Sequence, residues 1–547
     1  MSRSPLIWCI AGHDSGGGAG LSADQRAADA MGVHGCPVIA ATTAQNSLGV
    51  QAVSPTPPEV QAAQLETLSQ DLPPSVIKTG LLGSVHAIEQ VAAWVDRWRA
   101  QAPAGIDPHR QLGLVIDPVL GASAGGASFA DDALVQAYRD LLLPRATVIT
   151  PNRAEARVLL GMSHTHAGRD DTLPALARRL KAMGPRSVVI TGGDAADAGP
   201  HCRDWLDTPH ASGWMVAPRM PTQHTHGTGC TFASGVASAL SLGHVEADAV
   251  VLANMLTRDA LQNARVAGSG PGPVIARAGF ARSTRAGGVP LPWLGLAEDP
   301  PWALAHGTRA FAPFVPPGNG LYGIVPSSDQ VQHAVHAGLQ CVQLRHKSHE
   351  GARTHIAAAL QAVRQQGVQL FINDHWQDAL EAGMAHERMS GWGLHLGQED
   401  LLSLTADDRA RLLSARHAIT LGLSSHSLWE LARAAGCGAS VIACGPVHPT
   451  TTKDMPWRPQ GLDNLSWWVA HSPAPVVAIG GLLTPDDVQD VARSRPAAAC
   501  IVRGLGNTPS AMRQAVQALR TAWQAGLALS PMPIPPLPHP VLPHSGI

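Results

Sequence analysis

Cys341-Val342-Gln343-Leu344-Arg345-His346-Lys347 decides how the second half of the chain is read. It begins as a strand, and alternate residues of a strand share a side. Gln343, Arg345 and Lys347 therefore present an amide, a planar fork and a point charge in one direction, a set suited to phosphate oxygens. Short apolar runs recur around it: Tyr322–Val325, Cys341–Arg345, Gln369–Asn373, Gly393–Leu396, Ile419–Ser424, Ser440–Cys444, Val476–Ile479 and Ala499–Arg503. Each precedes helix-like sequence, and eight such units over roughly 200 residues predict a (β/α)8 TIM barrel, whose active site lies at the C-terminal ends of its strands. The polar motifs of this half fall there. Asn373-Asp374 ends one strand and Gly397-Gln398-Glu399-Asp400 the next. Two carboxylates on neighbouring strand ends can share one Mg2+; taken singly, each more often caps a helix.

The first half alternates apolar runs with polar loops. Leu6–Ala11 leads into a glycine loop, Val38–Ala41 into Thr42–Asn46, Leu114–Ile116 into Asp117-Pro118, Thr147–Ile149 into Thr150-Pro151-Asn152, and Val188–Ile190 into Thr191-Gly192-Gly193. Continuous apolar strands separated by helical sequence predict a mostly parallel sheet covered by helices. The expected organisation is a first domain over 1–276, a Pro/Gly-punctuated linker over 277–319, a barrel over 320–529 and a Pro-rich, disordered tail over 530–547.

Totals narrow the function classes. At 547 residues, two large domains are the natural expectation. Charge is balanced, 39 Lys+Arg against 41 Asp+Glu, which gives no electrostatic case for nucleic acid or an anionic membrane surface. None of the eight cysteines forms a C-x-x-C pair, the inventory of a reduced, cytoplasmic protein. Leu6–Ala11 is too short for a signal peptide, and no run reaches transmembrane length. The 26 histidines show no H-E-x-x-H or finger spacing, so no zinc site is expected. Small-molecule partners remain, with a homo-oligomer left open. Among the 39 basic residues only Lys78, Lys181, Lys347 and Lys453 are lysine. Three of these stand where a strand meets a polar loop; Lys181 reads as a solvated helix charge.

Thr225-His226-Gly227-Thr228-Gly229-Cys230-Thr231 precedes a small-residue helix from Phe232. Glycines let the amides of a helix N-terminus converge on an anion, and the helix dipole adds to the attraction. A cysteine in the first turn, Cys230, is expected to have a depressed thiol pKa. The plainer reading is a tight turn with a buried cysteine.

Further motifs favour the first reading. Ala11–Gly20 with Ala23-Asp24, Thr43-Ala44-Gln45-Asn46, Lys78-Thr79-Gly80, Asp117-Pro118-Val119, Thr150-Pro151-Asn152-x-x-Glu155 and His226–Cys230 occur in this order. Together they resemble the ribokinase-like hydroxymethylpyrimidine and phosphomethylpyrimidine kinases, over about residues 5–276. The resemblance implies ATP as co-substrate, with Gln45 and Asp24 hydrogen-bonding the aminopyrimidine and Cys230 replacing an aspartate base. It implies an anion hole of the Gly227–Cys230 amides, Gly229 included, and Asp117, Asn152 and Glu155 near the nucleotide, where a capping role is a close rival for Asp117 and Glu155. Lys78 would contact phosphate or sit in a salt bridge. The chain departs from the family at Leu120–Gly125 and at Thr191, where lysines are usual; both departures remove phosphate contacts.

The second half resembles thiamine-phosphate synthase over roughly residues 320–527. By that likeness Gln343, Arg345, Lys347, Asn373, Ser424 and Lys453 hold a hydroxymethylpyrimidine diphosphate, with Mg2+ on Asp374 and Asp400. Thr450, Thr452, Gly481, Val502 and Arg503 would hold thiazole phosphate, Arg503 departing from the usual serine. Thiazole tautomerases share the barrel, but the complete Thr450–Asp454 and Gly397–Asp400 runs favour the synthase. The two halves then form consecutive steps: ATP-dependent phosphorylation of the pyrimidine to its diphosphate, and condensation with thiazole phosphate. Rival readings of the first half are a pyridoxal-type kinase and a degenerate pyrimidine-binding module, the latter leaving only the synthase half active.

Overall fold

The computed structural model describes residues 5–121, 130–162, 171–193, 199–385, 391–450 and 456–542. The chain divides into two compact units. The first carries residues up to Pro292 together with Ala297–Asp299, the second Trp293–Leu296 and residues from Pro300 onward.

Among the described residues, nine strands build the first unit: β1 (Leu6–Asp14), β2 (His34–Asn46), β3 (Gly49–Pro55), β4 (Val76–Thr79), β5 (Gly113–Ile116), β6 (Val148–Ile149), β7 (Ser187–Ile190), β8 (His201–Asp207) and β9 (Ser212–Pro218). They run side by side in the order β9-β8-β7-β6-β5-β4-β1-β2-β3. β2, β1, β4, β5, β6 and β7 are parallel, while β3 pairs antiparallel with β2, and β8 and β9 continue antiparallel beyond β7. The sheet is the ribokinase-like arrangement expected from the sequence. Its parallel strands are apolar without alternation because helices cover both faces. Trp8, Ile10, Ile77, Leu114 and Ile190 pack with Ile88, Val91 and Leu176 from the helices Val85–Arg99 and Leu173–Lys181. On the helix Thr228–Ser241 every residue from Thr231 to Ala239 is buried. A helix buried all round needs small side chains to fit between neighbours, and this one packs against β4, β5 and the helix Glu246–Gln262.

The second unit is a closed barrel of eight parallel strands, Leu321–Val325, Cys341–Leu344, Gln369–Asn373, Trp392–Leu396, Thr420–Ser425, Val441–Cys444, Val476–Ile479 and Ala498–Ile501. Each lies within two residues of its expected position at either end. Tyr322, Phe371, Ala443, Val477 and Cys500 fill its centre with Phe314.

Two expectations are corrected. The 277–319 segment is not a free linker: Phe280, Val289, Leu291, Phe311 and Phe314 are buried. Arg282 lies beside Asp259, and Ala312 N–H donates to Ile419 O at 3.0 Å. Nor is the described part of the tail unstructured. His539 N–H donates to Asn464 Oδ1 at 2.8 Å, Asn464 Nδ2 donates back to His539 O at 3.1 Å, and Val541 is buried. Proline content predicts a chain that cannot make a ladder; it does not preclude docking against a formed surface.

Candidate active sites

A cavity of about 330 Å³ opens at the strand ends of the first unit. Gly12, Asp14, Gln45, Asp117, Asn152, Glu155, Thr191 and the Gly227–Cys230 turn line it. The turn is made by Gly227, in left-handed backbone at φ 87° and capping the helix Thr228–Ser241. A Cβ there would sit 2.2 Å from Gly18 O, so only glycine lets the two loops meet. Thr228 N–H turns back to Thr225 O at 3.2 Å. Of the four amides of the turn, those of Gly227, Gly229 and Cys230 have no acceptor among the described residues, so only that of Thr228 is engaged.

Cys230 departs from expectation. Burial pushes its thiol up to about 12; Lys78 opposes the rise, while Asp117 and Asp24 add to it. The helix-terminus effect is outweighed because the thiol, although its residue lines the cavity, is desolvated beside two carboxylates.

Asp24 and Lys78 also differ from the expected roles. Neither lines the cavity. Both are 0 % exposed, and Lys78 Nζ donates to Asp24 Oδ1 at 2.7 Å and lies 3.7 Å from Asp117 Oδ2. Ser234 Oγ donates to the same Asp24 oxygen at 2.8 Å. Asp24 is thus Lys78's counterion under the floor, out of reach of the pyrimidine, and Lys78 is the salt-bridged lysine of the alternative reading. Desolvation alone would lower the Lys78 pKa; Asp24, Cys230 and Asp117 raise it, so the ammonium stays charged. Asp117 is raised by burial against the pull of Lys78.

Asn152 and Glu155 form a reciprocal cap on the helix Arg153–Leu159, Asn152 Oδ1 accepting from Glu155 N and Glu155 Oε2 from Asn152 N, both at 2.9 Å. The capping reading holds while both residues still face the cavity. Asp14 and His226, quoted only as parts of motifs, prove central. Asp14 accepts from the amides of Gly16, Gly18 and Ala19 at 2.8, 2.9 and 2.8 Å and lies 2.9 Å from His226 Nε2. These partners outweigh burial and hold its carboxyl down to about 2. Loop closure between residues 212 positions apart has no local sequence signal.

In the barrel, a hydrogen-bonded chain crosses the strand ends. Tyr322 OH donates to Gln343 Oε1 at 2.9 Å, Gln343 Nε2 to Asn373 Oδ1 at 2.9 Å, and Asn373 Nδ2 to Asp374 Oδ1 at 2.8 Å and His395 O at 3.2 Å. Gln343 is buried, Arg345 half-buried and Lys347 exposed, so the three climb the strand from core to rim. Neither cation has an ion pair among the described residues. Asp374 adopts φ 72°, left-handed backbone that aspartate tolerates better than most residues. Its carboxyl is raised by half-burial and by nearby Asp400, against Arg345. Asp400 Oδ2 accepts from Gly397 N at 2.9 Å, capping its helix. Each carboxylate keeps its second oxygen free of a hydrogen bond among the described residues, so this mutually repelling pair of oxygen donors fits a hard cation.

Ser424 Oγ lies 2.9 Å from His395 Nε2. His395, which the sequence did not single out, is fully buried and pulled down to about 4 by that burial and by Arg345, so it is neutral. Gly481 follows Val476–Ile479, and Val502 and Arg503 follow Ala498–Ile501, all at the same end of the barrel as Thr450. Thr452 and Lys453 lie outside the described residues.

Two family models match the chain in tandem: phosphomethylpyrimidine kinase over residues 14–275 and thiamine monophosphate synthase over 321–505. The chloroplastic thiamine biosynthetic bifunctional enzyme TH1 of Arabidopsis thaliana is 32% identical over 88% of this chain and 86% of its own. The chain belongs to the bifunctional thiamine-biosynthesis enzymes. A probable bifunctional enzyme of this kind from rice is 31% identical over 87% of this chain and 81% of its own. The hydroxymethylpyrimidine/phosphomethylpyrimidine kinase of Synechococcus elongatus is 40% identical over 49% of this chain and 96% of its own. The enzyme thus joins a phosphomethylpyrimidine kinase domain to a thiamine-phosphate synthase domain.

Proposed function

We propose that the first unit phosphorylates 4-amino-5-hydroxymethyl-2-methylpyrimidine and then its monophosphate with ATP, and that the second joins the resulting diphosphate to thiazole phosphate, releasing pyrophosphate and thiamine phosphate. The observation that carries the reading is the sharing of one cavity by the Gly229 and Cys230 amides, the Cys230 thiol and the Gln45 amide. Gln45 reads the pyrimidine, and the two amides receive the charge that develops on the transferred phosphoryl group. Cys230 accepts the proton of the attacking hydroxyl once it has lost its own, and buried Lys78 is the neighbouring charge that favours the thiolate.

In the barrel, Arg345 and Lys347 hold the diphosphate and the Tyr322–Gln343–Asn373 chain fixes the amides that meet the pyrimidine. Asp374 and Asp400 would hold Mg2+, which supplies neutralising charge for the departing diphosphate. The electron-rich aminopyrimidine stabilises the methylene cation left behind, and the thiazole nitrogen captures it.

The test is ATP consumption by the full chain with the aminopyrimidine, its monophosphate and pyridoxal in turn. Turnover with both pyrimidine compounds and little with pyridoxal supports the reading. Preference for pyridoxal, or binding of the pyrimidine without ATP consumption, would overturn it.

A further inference from the structure

The surroundings of Gln45 fix which way its side-chain amide faces. Thr43 Oγ1 lies 3.1 Å from His13 O and 3.3 Å from one atom of the Gln45 carboxamide. A hydroxyl carries one proton, and the carbonyl can only accept. That proton therefore goes to His13 O, and Gln45 has to offer Thr43 an N–H. On the other side, His226 Nε2 lies 2.9 Å from Asp14 Oδ2 and 3.4 Å from the second Gln45 atom. Asp14 already collects three backbone N–H groups and is ionised, its carboxyl held down to about 2. An acceptor-only carboxylate requires the proton on His226 Nε2. That N–H is given to Asp14, the protonated nitrogen keeps no lone pair for a Gln45 N–H, and only an oxygen of Gln45 can share the proton.

Both neighbours thus demand one orientation, Nε2 toward Thr43 and Oε1 toward His226. The structure draws the reverse, Oε1 toward Thr43 and Nε2 toward His226. Amide oxygen and nitrogen are told apart only by their partners, and the reverse sets N–H against N–H at His226. The imidazole itself is held in place by close packing. A Cβ on Gly18 would lie 2.1 Å from His226 Cδ2, so glycine there gives the ring its space.

We propose that Thr43 and His226, the latter anchored by Asp14, pin the Gln45 carboxamide and thereby make the kinase site selective for a ring edge that sets an acceptor nitrogen beside an amino donor. This deepens the reading in which Gln45 meets the pyrimidine, and rests on it. Pinned, Gln45 keeps one N–H for the ring nitrogen and one oxygen lone pair for the amino group. A 4-oxo analogue presents the opposite edge, an N–H beside a carbonyl oxygen. A free glutamine amide rotates to suit either edge; the pinned one has to break its bonds to Thr43 and His226 first.

The experiment compares kcat/KM for 4-amino-5-hydroxymethyl-2-methylpyrimidine and its 4-oxo analogue in the full chain, by ATP consumption. Wild type is expected to prefer the amino compound by about 10²-fold or more, the scale on which an unmatched polar edge is rejected. Thr43→Val and His226→Phe should each cut that ratio at least about tenfold, chiefly by improving the oxo compound relative to the amino one. Thr43→Ser, which keeps the hydroxyl, should restore it. Thiamine phosphate formation from supplied diphosphate checks each preparation. Wild-type ratios in Thr43→Val and His226→Phe, or no preference in wild type, would overturn the pinning. Gln45→Ala separates the two levels. An unchanged KM for the amino compound would remove the underlying site reading, whereas a raised KM beside unchanged ratios in the Thr43 and His226 variants would remove the pinning alone.

Discussion

Cys230 shows how one residue's chemistry depends on what the fold buries beside it. Its place in a helix's first turn argues for an acidified thiol; its burial beside Asp117 and Asp24 pushes it up to about 12 in the ligand-free site. Alkylation of Cys230 by iodoacetamide in the free enzyme should therefore still be accelerating at pH 10, and a plateau by pH 8 would contradict the account. Asp204, on the wall of the same cavity, is raised by burial to about 6 although Gly192 N–H donates to it at 2.9 Å. Its unfolded value lies near 3.9. The folded unit therefore binds the proton more tightly, so this contribution to stability is complete below about pH 4 and is lost as pH rises through 6. Asp204→Asn keeps an acceptor for Gly192 and removes the charge. The variant should gain about 2–3 kcal/mol at pH 8, with thermal melts converging toward wild type near pH 4; a gain independent of pH would refute this. The residue types at the sites were legible because each motif pairs glycine with a polar group at a strand end. Burial was not: nothing local distinguishes Lys78 under a floor from Lys78 on a rim, or foretells the closure of His226 onto Asp14.

At the scale of elements, the barrel strands were legible because a strand buried on both faces is a continuous apolar run. The antiparallel additions to the first sheet were not. β3 is half exposed, with the mixed sequence Gly49-Val50-Gln51-Ala52-Val53, and β8 carries Arg203 and Asp204 within it. Asp204 survives there because Gly192 and Asn254 donate to it. The described tail was misread because composition reports what a segment cannot build alone, whereas residues near 458–464 already offer it a surface. Arg458 N–H donates to Val541 O at 2.6 Å, and His539 Nδ1 lies 3.0 Å from Asp463 Oδ2. Ending the chain after Leu529 leaves Asn464, 1 % exposed in the intact chain, without its His539 partners. Loss of about 1–3 kcal/mol from the barrel's unfolding free energy is expected, the net worth of two hydrogen bonds at about 0.5–1.5 kcal/mol each. Denaturation of the truncated chain followed by synthase activity measures it, and an unchanged midpoint would show that the docked tail adds nothing.

At the scale of the whole molecule, the order of two domains was legible because each half carries a complete set of motifs in sequence order, and the relatives cover nearly the whole chain. The boundary was not. Residues 293–296 belong with the second unit and 297–299 with the first, so the chain crosses between units more than once and no single cut divides it cleanly. The central claim is that one chain holds two chemically separate sites that act in succession. It is tested most directly by measuring thiamine phosphate formed by full-length wild type, Cys230→Ala and Asp400→Ala. Each is given thiazole phosphate with either the free aminopyrimidine plus ATP or the ready-made pyrimidine diphosphate. Wild type should make product from both. Cys230→Ala should fall by about 10²–10⁴-fold on the free pyrimidine, the usual cost of a lost general base, and match wild type on the diphosphate. Asp400→Ala should fail on both while still consuming ATP with the free pyrimidine. Near-normal product from the free pyrimidine in Cys230→Ala, or wild-type product from the diphosphate in Asp400→Ala, would contradict the account.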